Sequence, residues 1–397
     1  MQYRTVPKTG DQLSTLGFGC MRLPSGRLGR VNIQESHRLI HEAIDLGVNY
    51  FDTAWFYHAG RSESVLGEAI QGHHREKIYL ATKLPQHLIH TREQMDRTLN
   101  QQLDGLKTET IDYYLIHALP TLARWEELER LGIREFIESA KQAGKIRHVG
   151  FSFHGNSVEF LKLVDVYPWD VCLVQYNYLD THTQGGTTGI QYASSQDIGV
   201  LVMEPLRGGL LANQLPAKAK ALLAAHSSQR SPAAWGLRWL WDQKEITMVL
   251  SGLNQSDHLR EDVAVAEVTT PGVMSSEEKD LIEQVKEIFE KRIKVPCTAC
   301  GYCMPCPEGV NIPGCFMHYN SGHLLHKRLY ARGTYLAMHD LFPATQPTLA
   351  SQCTNCGRCE ELCPQHIEIR KELENVKREF EGRWTTPVMK WLVRRMM

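Results

Sequence analysis

The sequence has almost no net charge, no long apolar run and no glycine-rich nucleotide fingerprint, and each absence narrows its function. Lys and Arg number 44 against 45 Asp and Glu, leaving a net charge of −1 over 397 residues. That balance gives no electrostatic reason to expect nucleic acid or an acidic polymer as partner. No apolar stretch approaches the roughly 20 residues needed to cross a bilayer. The opening MQYRTVPKTG has no apolar core followed by a small-residue cleavage site. A membrane partner is therefore not expected, and the expected location is cytoplasmic. After the first apolar run comes GFGCMRLPSGRLG rather than G-x-G-x-x-G, which counts against a doubly wound nucleotide-binding sheet.

What is present is an alternation of short apolar runs with helix-like stretches. The runs fall at 16–23, 49–54, 77–84, 111–119, 146–153, 170–180, 200–205 and 246–252. They are nearly continuous in apolar residues, as strands covered on both faces must be. Eight such units over roughly 250 residues predict an α/β fold, a (β/α)8 TIM barrel spanning residues 1–272. Residues 273–294 follow as a connecting helix, with Ser275 and Glu278 placed for a capping box. Residues 295–380 form a cysteine-rich module with a helical insert. Residues 381–397 are a basic amphipathic tail, expected to pack on the barrel rather than on a membrane or partner.

Eight of the 11 cysteines stand in two runs. The first is CTACGYCMPC, followed by Pro307; the second is CTNCGRCEELC, followed by Pro364. The second has the spacing of a bacterial ferredoxin run, and the first is one residue shorter. In that scheme three thiolates of one run hold a cubane and the fourth serves the other cubane. Cys297, Cys300, Cys303 and Cys363 would hold one [4Fe-4S] cluster, and Cys353, Cys356, Cys359 and Cys306 the other. A pair of structural zinc knots is the alternative, but zinc calls for two pairs of cysteines rather than three plus one. Cys20, Cys172 and Cys315 are expected to be buried small hydrophobes.

Barrels of this kind keep their chemistry at the C-terminal ends of the strands. Those ends carry Asp52, Lys83 and His117, with Tyr57 in the loop after the second strand. A tyrosine is a weak acid near neutral pH; a nearby ammonium is expected to stabilise its phenolate and lower its pKa. Asp52 would hold the lysine and His117 would orient a substrate oxygen. Singly, Asp52 reads as a helix cap, Lys83 as a solvated strand end and His117 as a core histidine. Trp55, Phe56 and Tyr178 read equally as pocket or core.

The stretches FDTAWFYHAGRSESVLGEAI, ATKL, DYYLIHAL and GFSFHG resemble the aldo-keto reductases, over roughly residues 5–268. With the cysteine module, the whole chain resembles the iron–sulfur branch of that family. The resemblance implies that Asp52, Tyr57, Lys83 and His117 are the catalytic tetrad. It implies NAD(P)H, with Ser152 and Gln175 at the nicotinamide, although Phe153 stands where the family has Asn. Met203 aligns with the family's stacking Tyr. Leu206, Gly208, Gly209, Ser251, Gly252 and Asn254 lie in the loops that would cradle a phosphate. No Lys or Arg precedes Arg260 after the last strand to read a 2′-phosphate.

Hydride from a nicotinamide needs no cluster, so the module implies a one-electron carrier such as ferredoxin as partner. FMN, which takes single electrons and delivers hydride, is the alternative cofactor. The expected substrate is a small carbonyl or alcohol. A non-catalytic electron-transfer protein with the barrel as scaffold is the reading of a different class.

Overall fold

The computed structural model describes residues 1–26, 30–298, 301–325, 327–341, 346–363 and 365–382. Cys300 and most of the basic tail lie outside them. The described chain forms two compact units, one of residues 1–205 with 233–275 and one of 206–232 with 276 onward. No helix among the described residues is long and apolar enough to cross a membrane.

The first unit holds a short hairpin and a closed parallel barrel. The hairpin pairs β1 (Tyr3–Thr5) with β2 (Gln12–Ser14). The barrel strands are β3 (Leu16–Gly19), β4 (Tyr50–Asp52), β5 (Tyr79–Leu84), β6 (Ile111–Leu119), β7 (Ile146–Phe153), β8 (Val171–Gln175), β9 (Gly199–Met203) and β10 (Ile246–Ser251). Each pairs with the next, and β10 closes on β3. The eight strands fall on the eight apolar runs. Their interior is filled by Tyr50, Ala81, Tyr113, Leu115, Val171, Leu173, Leu201, Met248 and Leu250, a packed core of the kind such barrels require.

Local chemistry starts the outer helices. Thr91 and Gln94 form a reciprocal capping box at helix Arg92–Leu106, and Asn32, Thr121 and Asn156 cap other helices by accepting a backbone N–H. The hairpin was not foreseen, because three-residue strands carry too little periodicity. It lies at the N-terminal ends of the strands, where Asp11 accepts from the Tyr113 hydroxyl at 2.6 Å and meets His148 at 3.1 Å. The opposite ends are free for chemistry. Asp52, Gln175, Met203 and Ser251 are each the last residue of their strand, and Lys83, His117 and Ser152 lie within three residues of theirs.

In the second unit, helix Ser276–Glu290 replaces the longer connecting helix expected to run to Lys294. It packs on helix Ala217–Ala225, and Glu278 accepts from Arg230 at 2.6 Å. The module's own core gathers Val295, Ile312, Phe316, Tyr335, Val376 and Phe380 around helices Ile312–Leu324, Arg328–Leu336 and Ile369–Phe380. The first two of these helices are the insert expected between the cysteine runs.

The barrel wall is tightest at Gly150. A Cβ built there would stand 2.4 Å from the Val171 carbonyl oxygen and 2.7 Å from Leu115 Cδ2. Backbone on the neighbouring strand cannot yield as a side-chain tip can, so Gly150→Ala is expected to destabilise the barrel by roughly 1–3 kcal/mol. A thermal melt followed by circular dichroism checks this; an unchanged melting temperature would show slack the geometry denies.

Candidate active site and cysteine cavities

Lys83 stands at the centre of the barrel's C-terminal end and is almost wholly buried, with 1% of its side chain exposed. It is not the solvated strand end that its sequence position also allows. Its ammonium donates to Asp52 Oδ1 at 2.5 Å, to the Thr53 carbonyl oxygen at 2.8 Å and to the Tyr57 hydroxyl at 3.5 Å. Three donors meet three acceptors. The ring of Tyr57 lies edge-on to His117, with centroids 6.2 Å apart. The structure therefore brings together all four residues that the sequence singled out.

The expected lowering of the Tyr57 pKa by Lys83 is not found. Burial, followed by the nearby Asp52, Cys20 and Glu204, pushes the phenol well above the ordinary tyrosine value. The phenol is thus held as a proton donor. Burial also raises the Asp52 carboxyl, against the opposing effect of Lys83. His117 is held well below the ordinary histidine value by burial, then by Lys83, His154 and His87. Its imidazole is thus held neutral, and its Nδ1 is buried with no hydrogen-bond partner among the described residues.

Residues that the sequence reading passed over support Lys83 from behind. Gln102 Nε2 donates to the Lys83 carbonyl oxygen at 3.0 Å and to Glu63 at 2.8 Å, and Glu63 also accepts from Thr82 at 2.6 Å. Glu63 and Thr82 lay in quoted stretches without being singled out; a glutamine on a helix carries no pattern that marks it. Of the three aromatics left open, Tyr178 is buried core, Phe56 is exposed and stacks on His87 at 4.9 Å, and Trp55 is half-buried.

The expected nicotinamide residues are differently engaged. Ser152 Oγ accepts the Ala118 N–H at 2.7 Å. Gln175 donates to Asp180 at 2.9 Å and accepts from Gln184 at 3.0 Å, so both ends of its amide are bonded. Phe153 is fully buried against Phe151 and Phe160. Met203 packs on the barrel core. Ser251 Oγ turns to Asp262 at 2.7 Å, whereas Gly252 and Asn254 are exposed. Arg260 is tied to Glu42 at 2.7 Å. Leu206, Gly208 and Gly209 belong to the second unit, where the Gly209 N–H is bonded to the Leu206 carbonyl. As they stand, Gln175 Oε1 already meets the Gln184 amide and Phe153 offers no amide beside Ser152, a poorer fit to a nicotinamide carboxamide than the expected residues would give.

The cysteines fit their proposed cargo better. One cavity of the module is lined by Cys303, Cys306, Cys353, Cys356 and Cys359. A second is lined by Cys297, Cys303 and Cys363. Each cavity is lined by cysteines of both runs, Cys303 and Cys306 joining the second run in one and Cys363 joining the first run in the other. Among the described residues, no three His, Cys, Asp or Glu side chains converge as ligands of a single ion. Cys20, Cys172 and Cys315 are buried, as expected. Burial pushes the Cys315 thiol up to about 12, and it faces Tyr335 and the Thr348 carbonyl instead of a cavity.

Comparison with known proteins gives the same division. Residues 15–285 match the aldo/keto reductase family, and residues 296–368 match a 4Fe-4S dicluster domain. L-galactose dehydrogenase of Arabidopsis thaliana is 25% identical, over 73% of this chain and 95% of its own. The aldo-keto reductase YhdN of Bacillus subtilis is 25% identical, over 75% and 96%. The holo form of an aldo-keto reductase from Bacillus halodurans superposes with a TM-score of 0.60 at 24% identity, over 72% of this chain and 96% of that one. The chain is thus an oxidoreductase that belongs to the aldo/keto reductase family and carries a C-terminal 4Fe-4S dicluster domain.

Proposed function

We propose that the protein interconverts a small carbonyl compound and its alcohol at Tyr57, with electrons reaching the barrel through two [4Fe-4S] clusters in the C-terminal module. The observation that carries the catalytic half is the buried Lys83 ammonium, bonded to Asp52 and reaching the Tyr57 hydroxyl. A phenol held protonated donates its proton to the carbonyl oxygen as negative charge develops there. The ammonium beside it then stabilises the phenolate left behind. The neutral His117 imidazole orients the carbonyl oxygen toward that proton. This intact tetrad is what a mere scaffold would not need.

The cluster half rests on the two cysteine cavities and the dicluster match. Cys297, Cys300, Cys303 and Cys363 would hold one cluster, and Cys306, Cys353, Cys356 and Cys359 the other. When bound, such clusters supply electrons one at a time, from a carrier such as a ferredoxin. Carbonyl reduction takes two electrons. FMN in place of NAD(P)H is the second reading. It is favoured by Gln175 being bonded to Asp180 and Gln184 and by Arg260 being tied to Glu42. FMN supplies hydride after accepting single electrons and has no adenine end to recognise.

Tyr57→Phe is expected to cut carbonyl reduction by roughly 100-fold to 10,000-fold while keeping the fold. Lys83→Met should lose activity to a similar degree. It should also lose stability, by about 3–5 kcal/mol, because it strands the buried Asp52 carboxylate. Steady-state kinetics and a melt measure both; wild-type turnover in Tyr57→Phe would remove the phenol from the chemistry. Anaerobic isolation should give about eight iron and eight acid-labile sulfide per chain. Cys315→Ser should leave that content unchanged. Zinc without sulfide would defeat the cluster assignment, and loss of half the iron in Cys315→Ser would defeat the ligand assignment.

A further inference from the structure

Gln184 lies in the loop after β8 and turns its side chain back onto Gln175, the last residue of that strand. Only 2% of Gln184 is exposed. Its backbone sits at φ +53°, a left-handed conformation that a non-glycine residue adopts only under constraint from its surroundings. Next in sequence are Gly185 and Gly186, so the strained position could have been glycine without changing the character of the turn. The side chain shows what the strain achieves. Gln184 Nε2 donates to Gln175 Oε1 at 3.0 Å and lies 3.2 Å from His154 Nδ1. Its Oε1 is buried and, among the described residues, has no partner. An unsatisfied buried carbonyl is costly, so this amide is held in place by the contacts of its nitrogen.

Those contacts reach the catalytic group. His154, which meets the same Gln184 nitrogen as Gln175 does, is one of the groups that lower the His117 pKa. On the far side of Gln175, Asp180 Oδ2 accepts from Gln175 Nε2 at 2.9 Å and from Asn177 Nδ2 at 2.8 Å. Asn177 Nδ2 lies 3.1 Å from the Glu204 carbonyl oxygen, which anchors the network to the end of β9. Gln175 thus has a fixed orientation, with its oxygen presented to whatever amide N–H lies in front of it. A nicotinamide carboxamide would offer that N–H. Gln184 already does.

We propose that Gln184 is a specificity-determining residue: its primary amide occupies the acceptor that a nicotinamide carboxamide would use, and so discriminates against NADH and NADPH at the Tyr57 mouth. The inference deepens the reading of that mouth as a carbonyl-reducing site and rests on it. It concerns which reductant the mouth admits, not whether Tyr57 donates a proton. Phe153, buried and apolar, removes the neighbouring amide that the family's Ser-Asn pair would add.

The test uses the full-length protein, isolated anaerobically with its clusters, and titrates NADH, NADPH and reduced nicotinamide mononucleotide by fluorescence. The variant is Gln184→Gly, which relieves the left-handed backbone and so should fold at least as well as wild type. Gln184→Ala serves as a check that side-chain loss, not loop mobility, is responsible. Wild type should bind all three weakly. Gln184→Gly and Gln184→Ala should bind each about tenfold tighter, by the same factor for all three because the change is at the nicotinamide end. The gain should vanish when Gln175→Leu is added. Unchanged affinity in both variants overturns the proposal, as does a gain that survives Gln175→Leu. Tight nicotinamide binding by wild type overturns it as well. A failure of the carbonyl-reduction reading would show separately, as wild-type turnover in Tyr57→Phe with these affinities unaltered.

Discussion

Burying the Lys83 ammonium against the Asp52 carboxylate is the constraint around which the catalytic end of the barrel is built. A charge with 1% exposure stays in such a site only if every donor is matched. Asp52 Oδ1, the Thr53 carbonyl and the Tyr57 hydroxyl do the matching, which fixes the end of β4 and the loop beyond it. Gln102 and Glu63 fix β5 from behind. The same burial that makes the pair demanding makes the neighbours useful. It drives Tyr57 toward the protonated phenol and His117 toward the neutral imidazole. A proton donor and an uncharged orienting group are the two states that reduction of a carbonyl calls for.

Much of this was legible in the sequence. Eight apolar runs became eight strands because residues covered on both faces must be apolar throughout. The strand ends in turn placed Asp52, Lys83 and His117 on one face. The spacing suggested a crossed cysteine scheme, and cysteines of both runs line each cavity, with Cys303 lining both. Other features left no local trace. The direction of the Tyr57 shift depends on how deeply the phenol is buried, which no motif records. Residues 206–232 read as barrel but group with the module, since a helix such as Ala217–Ala225 does not show in its sequence which partner it will pack on. Gln184 was missed for a related reason. A polar residue in a Gly-rich loop has no periodicity, and only its inward turn onto Gln175 gives it meaning.

The two halves of the chain pose one chemical problem. In the proposed reading the barrel carries a group that gives a proton to a carbonyl oxygen, and the module's thiols hold groups that move single electrons. Nothing in proton donation calls for eight cysteines, and an electron conduit alone does not call for a buried lysine–aspartate pair. The pairing makes sense if reducing equivalents enter at the module and are spent at Tyr57. A Gln175 whose oxygen already meets the Gln184 amide agrees with that direction of supply.

The most direct measurement is carbonyl reduction driven by a chemically reduced ferredoxin, with no nicotinamide present, in wild type and in Cys353→Ser and Cys356→Ser. The account predicts turnover in wild type and its loss in both variants, with the barrel's melting behaviour retained. Undiminished turnover in a variant shown to lack both clusters would contradict it.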